Sequence, residues 1–510
     1  MLLSRRSLLA TGLAAGAVLP ALRLPARAQA ASETLRFGLS SYPPNLQPWV
    51  NSGGAAGSVS ALLHRGLLSY AADGSLQGEL AESWQPDGDK AWVFRLRQAL
   101  FHNGDPVTAA DVQWNIEQVA GEKSTAYLRT QLQGVERVET PDDRTVRLVM
   151  KQPTVCVPHW FANYYMPIVA QGSTADDPLG IGAGPFVLQG QERGVSLDLV
   201  AFDRYYKPGL PKLKAVKIVA YPDETLRVAA LQAGDVDLID YVPWQSMQAI
   251  EADPNLKLDN QLGPFMYLTF NGRSGPFADP RIRRAVALGI KREEIVQAAF
   301  FGRGAPLEGL PFAPETPYYD EAAAHGWRYD RDKAKALLAE AGVADGFACT
   351  LLSTAQYGMH KNTAEVVQQN LAELGIQVGL NMPDWPTRVS LGNRGQYEFA
   401  VMGTAMESPD PESLSSFVDS SLSPSYIRSA GITVPGLNEL LASGRGEFDI
   451  ARRKEIYAKA GQLVLDQAPM VTLAYRAQGF AMRKALQGFR NLPGGLSFYS
   501  LSTADQSFFA

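Results

Sequence analysis

A phenol and an amide that could bind a ligand stand just after the first predicted strand. Residues 34–39 alternate in polarity, which predicts a strand, and the proline-rich loop that follows contains Tyr42 and Asn45. In open α/β sheets, ligands bind beyond the carboxyl ends of the strands. We therefore expect Tyr42 and Asn45 to line a binding pocket, and the alternative is an exposed turn.

Two carboxylates follow a later predicted strand in the same way. Residues 397–403 predict a strand, and the loop after it, residues 404–411, contains Glu407 and Asp410. A carboxylate that loses water when a cleft closes favours a cationic group, through a charge-assisted hydrogen bond worth roughly 1.5–3 kcal/mol.

Catalytic motifs are absent from the sequence. It contains no HExxH, CxxC or GxSxG motif and no phosphate-binding P-loop. The histidines show no metal-ligand spacing and stand at His64, His102, His159, His325 and His360. Of two hypotheses, a secreted hydrolase and a binding protein that needs no catalytic residue, the sequence favours the binding protein.

Aromatic and glycine clusters have two interpretations each. Trp160, Phe161, Tyr164 and Tyr165 could stack on a sugar or a base, and the alternative is a structural core. The glycines of segment 182–186 suggest a dinucleotide-binding loop, but the third glycine is missing and a proline blocks the helix start. We expect no nucleotide site there.

The chain length indicates several lobes, and the N-terminus indicates export. At about 150 residues per domain, 510 residues correspond to about three lobes. Residues 1–30 resemble an export signal, because Arg5 and Arg6 precede an apolar run and segments 26–28 and 28–30 offer small-residue cleavage sites. Paired arginines are typical of twin-arginine export, with Sec export as the alternative. The run is shorter than the roughly 20 residues of a membrane span. We expect a periplasmic protein.

Net charge and cysteine content indicate whether the protein binds nucleic acid, carries a lipid or contains a disulfide. The predicted signal holds four arginines and no acid, which leaves 43 basic and 52 acidic residues and a net charge of −9. This balance does not favour nucleic acid as a partner. No cysteine near the cleavage site could accept a lipid. Cys156 and Cys349 are predicted to be two separate buried thiols, although one disulfide is the alternative.

The most informative element is a predicted hairpin followed by a helix. In segment 91–97, apolar residues alternate with partners of mixed polarity, which predicts a strand with one buried face. Turn-forming residues precede and follow it. Thr108 with Asp111 three positions later predicts a helix N-cap with an acid at N3.

Other helices and strands follow from caps and periodicity. Asp223, Asp279 and Asp330 each precede a helical pattern and are predicted to be N-caps. Residues 58–68 predict a helix, and residues 235–241 predict a strand. Alternating strands and helices indicate an α/β fold.

These segments together resemble the solute-binding proteins of peptide/nickel-type ABC importers, the extracellular solute-binding family 5. The order and spacing of several segments match the family. They are LAESW at 80–84, FRLR at 94–97, FHNG at 101–104, TAADV at 108–112, ALQAGDVD at 230–237 and DKAKALLAEAG at 332–342.

The resemblance implies an α/β fold like that of the type II periplasmic binding proteins, with three lobes. Lobe I would comprise residues 31–65, 180–265 and 475–510. Lobe II would be inserted at 66–179 and lobe III at 266–474. The ligand would lie between lobes I and III, and hinge closure would bury it.

The resemblance also implies ligand-binding residues. Glu407 falls where dipeptide-binding relatives keep the aspartate that binds the ligand ammonium, and Thr354 replaces the arginine that binds the dipeptide carboxylate. Arg388 is the nearest substitute. We expect a ligand with a cationic end and an uncharged far end, and Asp410 or no residue in this role is the alternative. The full set of expected ligand-binding residues is Tyr42, Asn45, Tyr267, Trp385, Arg388, Met406, Glu407, Asp410 and Tyr475.

The implied partners are a solute and a membrane permease. Peptide-like solutes are the leading class, while glutathione, opines, oligosaccharides and nickel chelates stay open because one fold hosts several ligands. Nickel is less favoured, since no histidine falls in the candidate loops. We expect a monomer without catalytic residues, metal or cofactor, which delivers its ligand to the permease of an ABC importer.

Overall fold

The computed structural model describes residues 33–50, 52–175, 177–314 and 316–510. The predicted export signal, residues 1–30, lies outside this part of the chain. None of the described helices combines the length and the apolar character needed to cross a membrane.

Strands and helices alternate along most of the chain. The strands are β1 Thr34–Leu39, β2 Leu68–Tyr70, β3 Leu76–Gly78, β4 Ala81–Asp87, β5 Ala91–Leu96, β6 Val135–Asp142, β7 Thr145–Met150, β8 Phe186–Glu192, β9 Ser196–Ala201, β10 Ala215–Ala220, β11 Leu238–Ile239, β12 Leu256–Phe270, β13 Gly304–Pro306, β14 Ala348–Leu352, β15 Gln377–Asn381, β16 Phe399–Thr404, β17 Met470–Arg483, β18 Leu486–Gln487 and β19 Phe508–Phe509. The α-helices are α1 Gly54–Leu63, α2 Ala109–Ala120, α3 Arg129–Leu132, α4 Val157–Ala162, α5 Glu224–Ala233, α6 Trp244–Ala252, α7 Pro280–Gly289, α8 Arg292–Phe300, α9 Glu321–Ala324, α10 Arg331–Glu340, α11 Gly358–Ala372, α12 Trp385–Arg394, α13 Ser415–Val418, α14 Leu437–Gly446 and α15 Ile450–Gln467.

One long mixed sheet connects the regions predicted as lobes I and III. Its strand order is β15-β14-β16-β12-β17-β11-β1-β10-β9-β8, with β13 paired to β17. Strands β12 and β17 run antiparallel along most of their length, from Leu256 opposite Arg483 to Thr269 opposite Met470. The register shifts between Leu262 and Phe265 and again between Met266 and Tyr267. These two strands therefore belong to both regions at once, and the predicted lobe boundaries stay a prediction.

A separate four-stranded sheet, β4-β5-β7-β6, forms in the region predicted as lobe II. The apolar face predicted from the alternation in β5 is buried, with Phe94 and Leu96 fully inaccessible. Helix α2 starts with the predicted capping box, in which Thr108 Oγ1 accepts from the Asp111 backbone N–H and the Asp111 carboxylate accepts from the Thr108 N–H. The predicted hairpin and helix are confirmed.

The predicted aspartate caps are confirmed as well. Asp223 accepts from the Leu226 N–H at the start of α5, and Asp330 accepts from the Lys333 N–H at the start of α10. Asp279 accepts from the N–H of Arg281 at the start of α7. Each cap satisfies a backbone donor that has no partner within its own helix.

Two predicted boundaries are wrong. Helix α1 spans Gly54–Leu63 instead of 58–68, and the Leu63 carbonyl at its end accepts from the Gly184 N–H at 3.0 Å, so the last residue of the helix pairs with a distant segment of backbone. The strand predicted at 235–241 shrinks to Leu238–Ile239. The residues before Leu238 have another role, because the Asp237 carboxylate accepts hydrogen bonds from the Arg36 guanidinium at 2.9 and 2.6 Å.

Apolar side chains form separate cores. One core belongs to the lobe III region and includes Phe265 and Trp327. A second belongs to the lobe II region, and Leu492 and Tyr499 of the C-terminal segment pack into it. A third gathers around Phe37 of β1. Both cysteines are buried free thiols, which confirms the prediction of two separate thiols.

A buried charge network joins the C-terminal segment to the lobe II region. Glu79 accepts hydrogen bonds from Lys207 at 2.8 Å and from the hydroxyl of Tyr206, and it lies 3.5 Å from Arg65. Arg65 and Lys207 also contact Asp505. Burial alone would raise the pKa of Glu79, but Lys207 and Arg65 outweigh burial and lower the pKa to about 2.

Replacement of Glu79 by glutamine is expected to destabilise the protein at pH 7 and progressively less in acid. Because the folded-state pKa lies below the ordinary value near 4.5, the stabilisation is complete above pH 4.5 and disappears as the pH falls towards 2. Urea unfolding of both proteins at pH 7, 5 and 3.5 measures the difference. A difference that does not shrink between pH 5 and 3.5 would contradict the proposed ionisation.

Candidate ligand-binding site

The loop after β16 holds Glu407, which has no ion-pair partner within the described part of the chain. Its half-buried carboxylate accepts a hydrogen bond from the Tyr127 hydroxyl, which belongs to the loop between α2 and α3. Burial raises the pKa of Glu407, and the Tyr127 hydrogen bond opposes this rise only in part. Glu407 is thus a partly desolvated acid that a bound cation would stabilise.

Tyrosine rings extend from Tyr127 into the interior. The rings of Tyr127 and Tyr165 are 4.9 Å apart, those of Tyr164 and Tyr165 are 4.4 Å apart, and those of Tyr164 and Tyr499 are 4.4 Å apart. Tyr70 extends the series at 5.5 Å from Tyr499. These rings come from the lobe II region and from the C-terminal segment, so the aromatic cluster seen in the sequence lies where several chain segments meet.

Helix α12 brings Trp385 and Arg388 to the same region. Asp384 caps the helix by accepting from the Thr387 N–H. The Arg388 guanidinium stands over the rings of Trp385 at 5.5 Å and Tyr426 at 5.7 Å, and it donates to the Val401 carbonyl at 2.6 Å. Its Nε and Nη1 atoms are buried without a hydrogen-bond partner. Burial lowers the pKa of Arg388, since no described acid compensates for it.

A second buried arginine, Arg476 of β17, was not among the residues predicted from the sequence. It donates to the Gln478 side chain at 2.7 Å, and its guanidinium lies over the rings of Trp244 at 5.8 Å and Tyr241 at 6.0 Å. Its Nε atom has no hydrogen-bond partner. An arginine in the middle of a mostly apolar and buried strand was the signal that could have identified it.

His360 of α11 lies within the electrostatic reach of both arginines. Its ring is 5.5 Å from that of Trp385, and its Nδ1 atom is buried without a partner. Burial first, and then Arg388 and Arg476, lower the pKa of His360 to about 3, so the imidazole is neutral at pH 7. Within the described residues, no group of three or more His, Cys, Asp or Glu side chains could hold a metal ion.

Other predicted residues lie close to this region. The Tyr267 hydroxyl is buried and donates to the Ile427 carbonyl at 2.7 Å. Met406 is half-buried against the lobe III core, and the Tyr475 ring lies 6.3 Å from that of Phe265. A Cβ at Gly495 would lie 2.2 Å from the Met406 carbonyl oxygen, so the C-terminal segment runs directly beside the Glu407 loop.

Three predicted residues have other hydrogen-bonding roles. Both carboxylate oxygens of Asp410 accept from Arg453 at 2.7 Å, so this acid is already paired. Tyr42 donates to Gln191 at 3.0 Å. Asn45 is exposed and accepts from a backbone N–H two residues later, as in the turn considered as the alternative. Their part in ligand binding stays a prediction.

Thr354 has the neutral character expected from the sequence. It is fully buried, and its hydroxyl accepts from the Gln356 backbone N–H at 3.2 Å. A hydroxyl that is used in this way cannot replace a guanidinium as a partner for an anion. Positive charge in this region comes from Arg388 and Arg476 instead.

These features are typical of the periplasmic binding proteins. They are one long mixed sheet, separate apolar cores and a polar site where several chain segments meet. The model of the bacterial extracellular solute-binding proteins, family 5 Middle, matches residues 75–424. The chain therefore belongs to the bacterial extracellular solute-binding proteins, family 5.

Relatives that are named for the solutes they bind align with almost the whole chain. Glutathione-binding protein GsiB from Pectobacterium atrosepticum is 26% identical over 524 residues, which is 99% of this chain and 99% of that protein. Di/tripeptide-binding protein 2 from Pseudomonas aeruginosa is 27% identical and spans 91% of this chain and 94% of that protein.

Among solved structures, that of the periplasmic binding protein AgaA from A. tumefaciens R10, in complex with agropinic acid, is similar to this chain. The TM-score is 0.85 at 38% identity, and the match covers 94% of this chain and 99% of AgaA. The predicted fold class is confirmed. The chain is the substrate-binding component of an ABC importer, and the hydrolase alternative is not favoured.

Proposed function

We propose that this protein captures a small polar, amine-bearing solute in the region around Glu407 and delivers it to the permease of its importer. The observation that supports this most directly is the Glu407 carboxylate, which is half-buried among tyrosines and lacks an ion-pair partner in the described chain. Such a group binds an ammonium more strongly than an exposed acid does, because water competes less.

The relatives support a solute of this size and polarity. They include proteins named for binding glutathione and di- or tripeptides, and a similar structure holds agropinic acid. On this proposal the protein acts as a monomer in the periplasm, after export through the twin-arginine signal predicted at residues 1–30. It takes no nucleic acid as a partner and no cofactor, and it carries out no catalysis on the solute.

Closure of the lobes would distinguish loaded protein from empty protein. Strands β12 and β17 connect the regions predicted as lobes I and III, and the ligand would lie between these lobes. Since only the bound solute lowers the free energy of the closed state, the permease would recognise the loaded form.

Native purification from the periplasm tests this proposal. We expect native mass spectrometry to detect a retained small solute, and small-angle scattering to show a smaller radius of gyration after the solute is returned to stripped protein. Stripped protein without added solute is the control. An unchanged shape would count against closure, and unchanged solute uptake in a deletion strain would count against the transport role.

A further inference from the structure

The lobe II region is joined to the lobe I region by both apolar packing and charge. Leu492 and Tyr499 of the C-terminal segment pack into the lobe II core. The buried Glu79 carboxylate accepts from Lys207 and lies 3.5 Å from Arg65. Breaking a buried ion pair of this kind is costly. We therefore expect the lobe I and lobe II regions to move as one body when the cleft opens and closes.

The lobe II region also touches the lobe III region, at the turn between α14 and α15. This turn, residues 447–449, contains Phe448, whose ring stacks on that of Trp92 in β5, with 6.0 Å between the ring centroids. Among the described apolar residues of 266–474, Phe448 alone packs against the lobe II core. It is not part of the lobe III core. The Phe448 side chain is therefore partly buried by a lobe other than its own.

Backbone contacts lie beside this ring pair. The Val155 N–H donates to the Arg445 carbonyl at 2.9 Å, and a Cβ at Gly446 would lie 3.6 Å from the Cβ of Pro153. The Arg445 guanidinium binds the Glu412 carboxylate at 2.8 Å, within the lobe III region. Because its side chain is held in this way, the Arg445 carbonyl is already positioned to accept a hydrogen bond from lobe II.

The two attachments of the lobe II region differ in strength. Its described contacts with the lobe III region are the Trp92–Phe448 ring pair, the Val155–Arg445 backbone hydrogen bond, the approach of Pro153 to Gly446, the Tyr127–Glu407 hydrogen bond, and His159 at 4.0 Å from Asp410. The attachment to the lobe I region adds shared core side chains and a buried charge network. Opening should therefore separate the lobe II region from lobe III and leave it attached to lobe I.

We propose that Phe448 and Trp92 form a closure contact, which stabilises the closed form of the protein without touching the solute. On closing, the Phe448 ring leaves water and covers part of the lobe II core, and this burial lowers the free energy of the closed form. A larger closed population raises the apparent affinity for a solute that binds this form. The inference rests on the proposed function, and Phe448 acts in it as a positioning residue.

A pair of introduced cysteines measures closure without any solute. The double variant Pro153→Cys with Gly446→Cys places thiols on Cβ atoms about 3.6 Å apart, which a disulfide can span. In stripped protein this disulfide forms only in the closed form, so its rate of formation with oxidised dithiothreitol reports the closed population. Adding Phe448→Ala is expected to slow that rate about tenfold. Tyr329→Ala removes an exposed ring of the lobe III region instead, and it is the matched control with an unchanged rate.

The disulfide also provides a test that does not depend on the Phe448 variant. Agropinic acid, the compound bound in the AgaA structure, serves as the probe. After loading and oxidation, the cysteine pair is expected to release agropinic acid at least about tenfold more slowly than its reduced form, because opening must separate the linked segments. Each single-cysteine variant is the control, and its release rate should not respond to the oxidant.

The outcomes separate the closure contact from the proposed function. Equal rates of disulfide formation with and without Phe448→Ala would overturn the contact, and so would release of bound agropinic acid that oxidation does not slow. A large drop in the melting temperature of stripped Phe448→Ala would assign the ring to the fold and would also overturn it. These results leave the transport role intact. A wild-type protein that retains no solute and binds no agropinic acid would overturn the proposed function, while the disulfide rates of stripped protein would still decide the contact.

Discussion

Replacement of Glu407 by glutamine is expected to weaken binding of the natively retained solute at least tenfold, which corresponds to about 1.4 kcal/mol. The substitution keeps the size of the side chain and its hydrogen-bond acceptor for Tyr127 but removes the negative charge. A half-buried carboxylate gains more from an ammonium than an exposed one does, because little water remains to screen the pair. Isothermal titration calorimetry on stripped protein measures the change.

The control and the pH dependence make this prediction specific. Glu455→Gln alters an exposed acid of α15 and is expected to leave affinity unchanged. Because burial raises the pKa of Glu407, wild-type affinity for an amine should fall with acidification sooner than an ordinary glutamate would allow, while the glutamine variant should lack this fall. Equal affinity of wild type and Glu407→Gln at pH 7 would remove Glu407 from the site.

Replacement of Arg453 by methionine is expected to reduce the free energy of unfolding by about 3–5 kcal/mol. Arg453 donates to both oxygens of Asp410 at 2.7 Å, and both residues are buried. Methionine fills a similar volume but leaves the Asp410 carboxylate without a counter-charge. Urea unfolding at pH 7, followed by circular dichroism, measures the loss.

A matched pair of variants isolates the effect of burial. Arg281→Met breaks the exposed pair with Asp279 and is expected to cost about 0–1 kcal/mol. The double variant Arg453→Met with Asp410→Asn removes the orphaned charge and should recover part of the lost stability. A loss below about 1 kcal/mol in Arg453→Met would show that water or another group already compensates Asp410.

Much of the fold could be predicted because its signals are local. A cap such as Thr108 with Asp111 acts over one helical turn, and the alternation in β5 acts over six residues, so both can be recognised without the rest of the chain. Helix α1 was misplaced for the opposite reason. At its end the Leu63 carbonyl accepts from the N–H of Gly184, about 120 residues away in the sequence, and no local pattern records such a contact.

Only some residues of the candidate site could be predicted from the sequence. Trp385, Arg388 and Glu407 follow from one continuous stretch of family resemblance. Tyr127 and Arg476 come from distant segments, and only the packed structure brings them near. The positive charge of this region was underestimated for this reason, because Arg476 lies on β17, far from Arg388 in the sequence.

The long pair of strands β12 and β17 has a mechanical consequence. Because their ladder is interrupted by register shifts between Leu262 and Phe265 and again between Met266 and Tyr267, twisting of the paired strands during opening should concentrate in segment 262–267. A Cβ at Gly263 would lie 2.0 Å from the Gly494 carbonyl carbon, so even a methyl group would obstruct this pivot. Amide hydrogens in this interrupted segment should therefore exchange faster than those in the continuous parts of the two strands on either side of it.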